Sequence, residues 1–578
     1  MLRTLNEKNG EVRMALKLVI IGGVAGGATA AARARRLDEY AEIIVFERGE
    51  HISFANCGLP YYIGGVIQER KDLLVTTRES FMRRYRIDVR TQCEVLAIDR
   101  SNKEIEVREL HSGRSYRQAY DKLILAPGAE PVRPVIPGIG LEGVFHLRNI
   151  PDSDRIKEIL DRRQPESAIV VGGGFIGLEM AENLVRRGVE TTIVEMANQV
   201  MMPLDPEMAA IVHAHLRDQG VALELGQAVT AMERSDGDLV VSTSQDKRFR
   251  CQLIVSAVGI APENKLAKEA GLALGPRGHI CVDETMATSD PDIYAVGDAV
   301  EIKDLVTGYP LAVALAGPAN KQGRIAADNA IGRKSVYKGA LGTSIVKVFK
   351  LTIAGTGPNE KTLSRLRIPY QVSYTHGGSH ASYYPGASLM AIKLLFSPET
   401  GKILGAQIVG EGGVDKRIDV LATAIHGNMT VFDLEELELA YAPPYSSAKD
   451  PVNMAGFVAA NTLKGDMAVV HWNEFPSLQH NGAILIDLRS KMEIETAGAI
   501  PNSIHIPLDE LRNRLDTLDK NAEYVPYCAV GMRGYLAHRI LLQHGFKSRN
   551  LSGGYRTFVG AREQLMLESP DQKLWLAE

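Results

Sequence analysis

Short apolar runs followed by glycine-rich turns recur in the first 300 residues of the chain. Leu16 to Ile21 leads into the glycines of residues 22–27, and Ala28 to Leu37 is then rich in helix formers. Ala168 to Val171 leads in the same way into residues 172–177. Strand, glycine turn and helix in this order form a phosphate cradle, because small residues let backbone N–H groups at a helix N-terminus approach a pyrophosphate. The pattern predicts two Rossmann-like dinucleotide-binding units in an α/β protein.

The two turns match the G-x-G-x-x-G fingerprint to different degrees. Val24 stands at the middle glycine of the first copy, whereas the second copy is complete. The predicted phosphate contacts are Gly22, Gly23, Ala25 and Gly26 in the first turn, and Gly172, Gly174 and Gly177 in the second. The strand after each helix ends at a glutamate, Glu47 or Glu195, where a carboxylate can hold ribose hydroxyls. Glu195 repels a 2′-phosphate and no arginine follows it at once, so the sequence favours NADH over NADPH.

Three further apolar runs complete the pattern of the first half. Leu123 to Leu125 ends at a turn containing Ala126 and Gly128, and Leu253 to Val258 is predicted to be a strand that returns to the first unit. Ile293 to Ala295 leads to Asp298 at a predicted helix start. A helix N-cap is the alternative role for this aspartate.

The second half alternates strands and helices without a glycine fingerprint. Residues 345–355 and 391–409 are predicted as strands, the latter split by a turn at 397–401, and a helix is predicted from Asp415 to His426. Near the C-terminus, two predicted strands end at Arg489 and at Cys528. The loop after Cys528 leads into a helix expected to end near Gln543.

Composition limits the class of protein. A chain of 578 residues predicts three or four domains, and 45% apolar with 24% charged residues is typical of a soluble globular protein. The net charge of −4 gives no general reason to bind nucleic acid or an anionic membrane. No apolar stretch approaches 18 residues, and residues 1–13 are polar, so we expect a disordered lead and a cytoplasmic location.

The five cysteines are scattered, with no CxxC pair. This usage argues against a disulfide framework and a metal site, and for a reducing compartment. Cys57 stands out in the stretch from Ser53 to Tyr61, where Gly58 and Pro60 suit a turn entering a helix. A reactive thiol must ionise, so we expect an electropositive or helix N-terminal setting for Cys57. A buried structural cysteine is the alternative.

Two nucleotide units together with Gly297-Asp298 resemble the flavoprotein reductases that have two dinucleotide-binding domains. The resemblance implies FAD in the first unit, with Glu47 on the adenosine ribose and Asp298 near the ribityl-pyrophosphate. It adds as FAD contacts Arg48, Asn56, Ala126 and Gly128. It also implies a dimerisation domain and a homodimer.

Asp487-x-Arg489, the loop from Cys528 to Gly534 and residues 550–555 together resemble a rhodanese domain. Backbone N–H groups of such a loop curl around the cysteine sulfur and stabilise thiolate and persulfide anions. Four residues separate Cys528 from Arg533, whereas the related phosphatases need five to enclose a tetrahedral oxyanion. The domain is therefore predicted to transfer sulfur, with Cys528 and Arg533 as its catalytic residues.

The expected domain organisation follows from these resemblances. It consists of a disordered lead (1–13), an FAD-binding domain in two parts (14–149 and 253–335), an NAD-binding domain (150–252), a dimerisation domain (336–460), a linker (461–467) and a rhodanese domain (468–578). The fold class is therefore α/β, with two Rossmann-like domains, an α+β dimerisation domain and an α/β rhodanese domain.

Cys57 lacks the second cysteine that glutathione-type reductases place four residues away. Residues 53–60, Tyr383, Tyr441 and residues 449–451 resemble the coenzyme A disulfide reductases, in particular the subgroup with a fused rhodanese domain. The resemblance implies NADH-dependent reduction of coenzyme A persulfide, polysulfide or coenzyme A disulfide through Cys57. In that family the two tyrosines come from the partner subunit and protonate the leaving thiolate. Tyr384 is an alternative to Tyr383, and simple packing is the alternative for both tyrosine motifs.

Coenzyme A phosphates need cations and hydrogen-bond donors. Arg33 and Arg36 lie three residues apart on the first helix and, with Ser53 and Asn56, are candidates to hold them. A solvated helix face is the alternative for the two arginines.

Three other functions remain open. An NADH peroxidase or oxidase would cycle Cys57 through a sulfenic acid, but it needs a base histidine on the early helix, where this chain has alanine, threonine and arginine. A thiol redox sensor would use the same cysteines without turnover. An electron-carrier reductase would make no use of Cys57.

Overall fold

The computed structural model describes residues 5–8 and 11–568. The chain divides into two compact units. One runs up to Val194 and from Ala228 to Gly342, and the other comprises Glu195 to Gln227 and the chain from Thr343 onward. Parallel sheets flanked by helices in both units confirm the α/β class.

The first sheet of the first unit is wholly parallel. Its strands, in spatial order, are Ile293–Ala295, Lys122–Leu125, Lys17–Ile21, Glu42–Glu47 and Asp88–Thr91. Four of the strands, all but Asp88–Thr91, read as nearly continuous apolar runs, and their apolar side chains are buried in one core. The helices Ala25–Leu37 and Ala316–Ala330 pack against each other beside it.

The second sheet of this unit pairs Val144–Phe145, Leu253–Ser256, Ser167–Val171 and Glu190–Val194 in that order, all parallel. The prediction that the strand beginning at Leu253 returns to the first sheet is therefore wrong. Its side chains are fully buried against Ser167–Val171, and an apolar run does not specify which of two sheets it joins. The second nucleotide-binding domain extends past the boundary expected at residue 252, and Ile293–Ala295 is the strand that returns.

Shorter elements surround these two sheets. The remaining helices of the first unit are Leu59–Ile63, Arg78–Tyr85, Ile150–Arg162, Phe175–Arg186 and Lys265–Glu269, with single 3-10 turns at Asn56–Gly58, Arg70–Leu73 and Gly297–Ala299. The remaining strands are Cys93–Asp99, Glu104–Glu109, Ser115–Ala119, Ala129–Pro131, Val229–Ser235, Asp238–Thr243, Arg248–Cys251, Ile260–Pro262, Ile280–Cys281, Val300–Lys303 and Pro310–Leu311.

The lead is not wholly irregular. Leu5–Lys8 and Glu11–Met14 pair as antiparallel strands, which corrects the expectation of disorder for these residues. Polar and apolar residues alternate along Glu11–Met14, a pattern that suits a strand. Residues 1–4, 9 and 10 of the expected lead lie outside the described residues.

An antiparallel sheet organises the second unit. Its strands, in spatial order, are Ser344–Val348, Leu351–Thr356, Ile403–Gly410, Leu389–Phe396 and Gln371–Gly378. The predicted strand at 345–355 is a hairpin, and Gln371–Gly378 was not predicted. The accompanying elements are the helices Pro206–Asp218, Glu360–Leu366, Val414–His426, Val431–Glu436 and Pro451–Leu463, and the strand Ala222–Glu224.

The C-terminal part of this unit contains a second, parallel sheet. Its strands are Ile504–His505, Ile484–Asp487, Glu523–Tyr527 and Lys547–Ser548, beside the strand pair Val469–Val470 and Asn550–Leu551. The accompanying helices are Phe475–His480, Lys491–Ala497, Leu508–Arg514, Met532–Gln543 and Gly554–Glu568, with a 3-10 turn at Leu515–Thr517. Residues 569–578 of the expected rhodanese domain lie outside the described range.

The expected linker at 461–467 is partly helical, because Pro451–Leu463 runs into it. The elements on its two sides also share one apolar core. Val372 and Tyr374 of the antiparallel sheet are buried in the same cluster as Trp472, Tyr527 and Phe558 of the C-terminal part. A shared core fixes the C-terminal part against the antiparallel sheet, so the connection does not behave as a loose tether.

A buried ion cluster crosses the same unit. The amino group of Lys393, with 0% of its side chain exposed, lies 2.8 Å from Asp205 and also contacts Glu207 and Glu360. The hydroxyl of Tyr374 donates to Glu207 at 2.8 Å. One cation therefore balances two fully buried carboxylates at the start of helix Pro206–Asp218.

Among residues 5–8 and 11–568, no helix combines the length and apolar character needed to cross a membrane.

Replacing Lys393 by methionine tests the weight of the buried cluster. The carboxylates of Asp205 and Glu207 would stay buried without their cation, so the free energy of unfolding should fall by about 3–5 kcal/mol. A lower urea midpoint and a lower Tm would show this. Lys491→Met is the matched control, because Lys491 is exposed and pairs only weakly with Glu495, at 3.7 Å. It should change stability by less than about 0.5 kcal/mol, and equal effects of the two changes would contradict the prediction.

Candidate redox and sulfur-transfer sites

Cys57 lies on a loop held against the first glycine turn. It sits in the 3-10 turn Asn56–Gly58, directly before helix Leu59–Ile63, as the glycine and proline predicted. Ser53 has the left-handed φ of 47°, and its N–H donates to the carbonyl of Gly23 at 2.9 Å. Of the five cysteines, all within the described residues, only Cys57 is exposed.

The electropositive setting expected for Cys57 is not what the protein side chains supply. The thiol reaches solvent, yet the surrounding protein desolvates its anion and raises the pKa of Cys57. The carboxylates of Glu179 and Asp298 raise it further. Positive potential for a Cys57 thiolate must therefore come from outside these side chains.

Glu179 and Tyr61 are functional candidates that the sequence analysis missed. The hydroxyl of Tyr61 donates to Glu179 at 3.2 Å, and burial raises the pKa of Glu179 to about 7. Glu179 therefore changes charge near neutral pH, and its carboxylate is close enough to Cys57 to raise the pKa of that thiol. The sequence signal for Glu179 was its position two residues after Gly177, on the helix that follows the second glycine turn.

The first glycine turn has the geometry of a pyrophosphate cradle. Gly22 has φ +97°, and a Cβ on it would lie 2.0 Å from the carbonyl oxygen of Ala126. Glu47 accepts the N–H of Gly23 at 2.8 Å, so the carboxylate is held at the turn. The helix beginning at Ala25 has no side-chain cap and no acidic residue in its first turn. Its first N–H groups and its positive dipole end are thus available to phosphate.

The other predicted contacts of the first unit occupy three loops. Gly128, with φ +77°, has open space where a Cβ would be. Asp298 lies in the 3-10 turn after Ile293–Ala295, and burial raises its pKa. Arg48 is half exposed and pairs with Glu130 at 3.2 Å, so part of its charge is already balanced.

The second glycine turn repeats this geometry. Gly172 has φ +105°, and a Cβ on Gly177 would lie 2.0 Å from the carbonyl oxygen of Gly172. Gly174 precedes helix Phe175–Arg186, which again has no side-chain cap and no acid in its first turn. Glu195 follows strand Glu190–Val194, and its carboxylate accepts the N–H of Ala197 at 2.8 Å.

Arg33 and Arg36 do not form the predicted phosphate site together. The guanidinium of Arg33 is mostly buried and forms an ion pair with Asp328 at 2.6 Å. Its charge is balanced within the protein by Asp328, so Arg33 offers a phosphate less positive potential than Arg36 does. Arg36 is exposed on the last turn of its helix.

The two tyrosine motifs meet in the second unit. The hydroxyls of Tyr383 and Tyr441 lie 2.7 Å apart, with 73% and 47% of the side chains exposed. Tyr384 instead packs edge-on against His380. The pairing distinguishes Tyr383 from its neighbour, which the sequence could not do.

A buried arginine holds these two tyrosine loops together. Arg417 donates to the carbonyl of Ser379 at 3.0 Å and to the hydroxyl of Ser446 at 3.1 Å, which flank the two motifs. Its charge is balanced by Asp450 at 2.9 Å. Asp450 also caps helix Pro451–Leu463. Asp450 belongs to the stretch at residues 449–451 that carried part of the family resemblance.

The loop after Cys528 wraps its own sulfur. Cys528 is buried at the end of strand Glu523–Tyr527, and the N–H of Gly531 donates to its Sγ at 3.2 Å. Gly531 has φ +100° and precedes the uncapped helix Met532–Gln543. The N–H of Tyr555 donates to the carbonyl of Cys528 at 2.8 Å and fixes the strand end.

Both arginines of this region are paired with carboxylates. Arg533 makes a two-pronged contact with Glu493, at 2.8 and 2.6 Å, which lowers the pKa of Glu493 to about 2. Arg489 is buried and pairs with Asp487 at 2.7 Å. Glu493 was not predicted, although Ser490-x-x-Glu493 is a capping-box signal and does cap helix Lys491–Ala497.

Family models match three segments of the chain. Pyridine nucleotide-disulphide oxidoreductase matches residues 16–323, the dimerisation domain of those oxidoreductases matches residues 343–451, and the rhodanese-like domain matches residues 472–561. The three segments correspond to the two nucleotide sheets, the antiparallel sheet and the C-terminal parallel sheet.

Known proteins resemble the chain over most of its length. Coenzyme A disulfide reductase of Staphylococcus haemolyticus is 36% identical over 77% of this chain and 99% of its own. The reduced CoADR-RHD of Bacillus anthracis is 52% identical, with a TM-score of 0.93 over 95% of this chain and 99% of that one. An NAD-dependent persulfide reductase from A. fulgidus is 39% identical, with a TM-score of 0.88 over 94% and 100%.

Replacing Glu179 by glutamine should make Cys57 more reactive. The change removes a negative charge that opposes the thiolate, so the pKa of Cys57 should fall. Alkylation of Cys57 by iodoacetamide should become roughly two- to ten-fold faster at pH 8. Below about pH 7 wild-type Glu179 is itself protonated, so the two rates should converge. Peptide mapping after timed alkylation of the reduced protein measures this.

The control for this change is Glu158→Gln, which alters an exposed glutamate paired only with Arg162. It should leave the pH profile unchanged. A profile equally unchanged in Glu179→Gln would show that Glu179 does not act on the thiol.

Proposed function

Because the chain belongs to the coenzyme A disulfide reductases of the pyridine nucleotide-disulphide oxidoreductase family, we propose that it uses NADH to reduce coenzyme A persulfide, polysulfide or coenzyme A disulfide. The observation that carries this proposal is the pair of sulfur sites. One exposed cysteine without a second redox cysteine lies on the nucleotide-binding unit, and a complete rhodanese loop lies on the same chain. A peroxide-reducing enzyme has no use for the second site.

The two cradles support the nucleotide assignment. FAD would be held by Gly22, Gly23, Ala25, Gly26, Glu47, Arg48, Asn56, Ala126, Gly128 and Asp298. NADH would be held by Gly172, Gly174, Gly177 and Glu195, with the carboxylate disfavouring NADPH. Bound FAD would carry electrons from NADH towards the sulfur of Cys57. Both helix starts lack acidic residues, as pyrophosphate binding requires.

Cys57 is the proposed nucleophile. Its thiolate attacks the coenzyme A sulfur of a persulfide, the S–S bond breaks, and hydrosulfide leaves. A mixed disulfide between Cys57 and coenzyme A remains, and two electrons with one proton return it to the Cys57 thiolate and free coenzyme A. With coenzyme A disulfide as substrate, the first leaving group is the second coenzyme A thiolate.

Ser53 and Asn56 flank Cys57 and are the proposed donors to coenzyme A, while Arg36 adds an exposed cation on the same unit. Arg33 is left out because Asp328 neutralises it. Tyr383 and Tyr441 are the proposed proton donors to the departing thiolate. The dimerisation domain supports a homodimer, and the family resemblance brings these tyrosines to the partner subunit's Cys57.

Cys528 is the proposed carrier of sulfane sulfur as a persulfide. The N–H of Gly531 and the start of helix Met532–Gln543 stabilise the terminal sulfur anion. Coenzyme A would then accept this sulfur and deliver it to Cys57 as coenzyme A persulfide. The rhodanese domain thereby supplies the substrate of the reductase.

An NADH oxidase remains the second candidate. A water-forming NADH oxidase from Lactobacillus brevis is 25% identical, with a TM-score of 0.75 over 78% of this chain and 99% of that one. Comparing kcat/KM for NADH oxidation with coenzyme A persulfide, coenzyme A disulfide, polysulfide and peroxide under anaerobic conditions, and with dioxygen in air, separates the two. One hydrosulfide formed per NADH with persulfide supports the reductase. A preference for peroxide or dioxygen would instead support an NADH peroxidase or oxidase. Stoichiometric consumption without turnover would indicate a redox sensor.

Two cysteine variants separate the two sulfur sites. Cys57→Ser should retain FAD and lose NADH-dependent reduction on the order of 1,000-fold, since a hydroxyl is not ionised at neutral pH and forms no disulfide. Cys528→Ser should keep coenzyme A disulfide reduction and lose only sulfur transfer. Flavin absorbance, NADH oxidation and thiocyanate formation are the three measurements. Persulfide reduction that survived in Cys57→Ser would refute the mechanism.

The tyrosine pair should behave as one acid. Tyr383→Phe and Tyr441→Phe should each lower kcat about 10- to 100-fold, and the double variant should be little worse than either alone because the hydroxyls act through one hydrogen bond. Tyr384→Phe removes the adjacent phenol and is the matched control. A loss of kcat in Tyr384→Phe alone would move the acid role to that residue.

A further inference from the structure

We propose that the Cys528 site takes sulfane sulfur from persulfides of organic thiols and excludes thiosulfate, with Glu493 as the specificity-determining residue. The inference rests on the proposed function and names the donor class of its rhodanese site. The feature that carries it is how charge is balanced around the loop formed by residues 528–533.

Arg533 is the one charged residue of this loop. Both of its terminal nitrogens bond to Glu493, one oxygen each, at 2.8 and 2.6 Å. Such a fork-to-fork pair takes one N–H of each terminal nitrogen, and Arg533 also interacts with the sulfur of Cys528, so the guanidinium is shared between a carboxylate and the thiol. A second anion near Arg533 would meet a cation already neutralised and a carboxylate that repels it.

The other arginine of the site is also committed. Arg489 is buried, pairs with Asp487 at 2.7 Å and donates to the carbonyl of Gly498 at 2.6 Å. Its guanidinium stacks on the ring of Tyr555 at 3.9 Å. It cannot turn towards Cys528 without leaving the Asp487 carboxylate buried and unpaired.

The remaining side chains of the loop are apolar. They belong to Ala529, Val530 and Met532, the last with half its surface exposed. Thiosulfate is a small, strongly hydrated dianion. The free energy needed to remove its water in such a site exceeds the attraction to one arginine whose charge is already balanced. The sulfane group of a persulfide carries at most one charge, which the loop N–H groups can hold, and the carbon atoms next to it can contact the apolar side chains.

The transfer step needs no further reactant. The Cys528 thiolate attacks the outer sulfur of the persulfide, a new S–S bond forms at Cys528, and the donor's own S–S bond breaks to release its thiolate. An acceptor thiolate then attacks the outer sulfur on Cys528 and restores the Cys528 thiolate. Electrons balance because one S–S bond forms as another breaks in each step.

The test is a donor comparison on the full-length holoenzyme, with cyanide as acceptor and thiocyanate as readout. Wild type should use glutathione persulfide with a kcat/KM at least 100-fold above that for thiosulfate. Glu493→Gln should raise kcat/KM for thiosulfate at least ten-fold, mainly through a lower KM, because Arg533 regains an unbalanced charge. The ratio of its kcat/KM for the persulfide to that for thiosulfate should therefore fall. Glutamine still serves the capping box, so helix Lys491–Ala497 should persist.

Glu495→Gln is the matched control, since it makes the same chemical change two residues away on an exposed side chain paired only with Lys491. It should alter neither donor. Ala529→Lys adds a cation to the loop without touching the ion pair, and it should raise thiosulfate use even where Glu493→Gln folds poorly.

Three outcomes would count against the inference. The inference is overturned if wild type uses the two donors equally, or if neither variant gains activity with thiosulfate. The proposed function stays intact in both cases as long as persulfide transfer and NADH oxidation are observed. Transfer from neither donor by wild type would overturn both the inference and the sulfur-carrying role of Cys528. Reduction of coenzyme A disulfide in the same samples would still report on Cys57 separately.

Discussion

Backbone N–H groups at the start of a helix need acceptors, and the helices that follow the two glycine turns and Cys528 do not take them from their own side chains. Ala25–Leu37, Phe175–Arg186 and Met532–Gln543 all start without a side-chain cap or an acid in the first turn. Elsewhere Asn149, Thr430 and Ser490 cap their helices fully. The uncapped starts leave donors and positive potential for a pyrophosphate at two places and for a sulfur anion at the third. In the proposed function, nucleotide binding and sulfur chemistry would thus depend on the same backbone property.

Buried cations organise the second unit in a complementary way. Lys393 draws the start of helix Pro206–Asp218 onto the antiparallel sheet, and Arg417 draws the two tyrosine loops onto each other. Each cation is held by at least one fixed carboxylate, so the geometry is specific even where the net gain in stability is small. Arg533, near Cys528, is likewise paired with a carboxylate, that of Glu493. In our proposal Glu493 also determines which anionic sulfur donors can bind there.

The sequence predicted the elements that local pattern controls. The nucleotide strands, the glycine turns and the helix ending at Gln543 were predicted to within a few residues, because apolar runs and glycines report local backbone needs. It failed where distant contacts decide. Leu253–Ser256 joined the other sheet, Arg33 was neutralised by Asp328 some 295 positions away, and carboxylates surrounded Cys57. The sequence also did not predict Glu179 and Glu493. Their contacts are with Tyr61 and Arg533, which lie far from them along the chain.

The core shared between strand Gln371–Gly378 and the C-terminal sheet has a consequence for how this architecture can be taken apart. The side chains of Val372 and Tyr374 are buried in one cluster with Trp472, Tyr527 and Phe558. Expressing the oxidoreductase alone by stopping after helix Pro451–Leu463 would expose Val372 and Tyr374 on the edge strand Gln371–Gly378, a surface prone to aggregation. The oxidoreductase and the rhodanese domain are therefore not independent modules. Separating or exchanging them would require new residues on strand Gln371–Gly378.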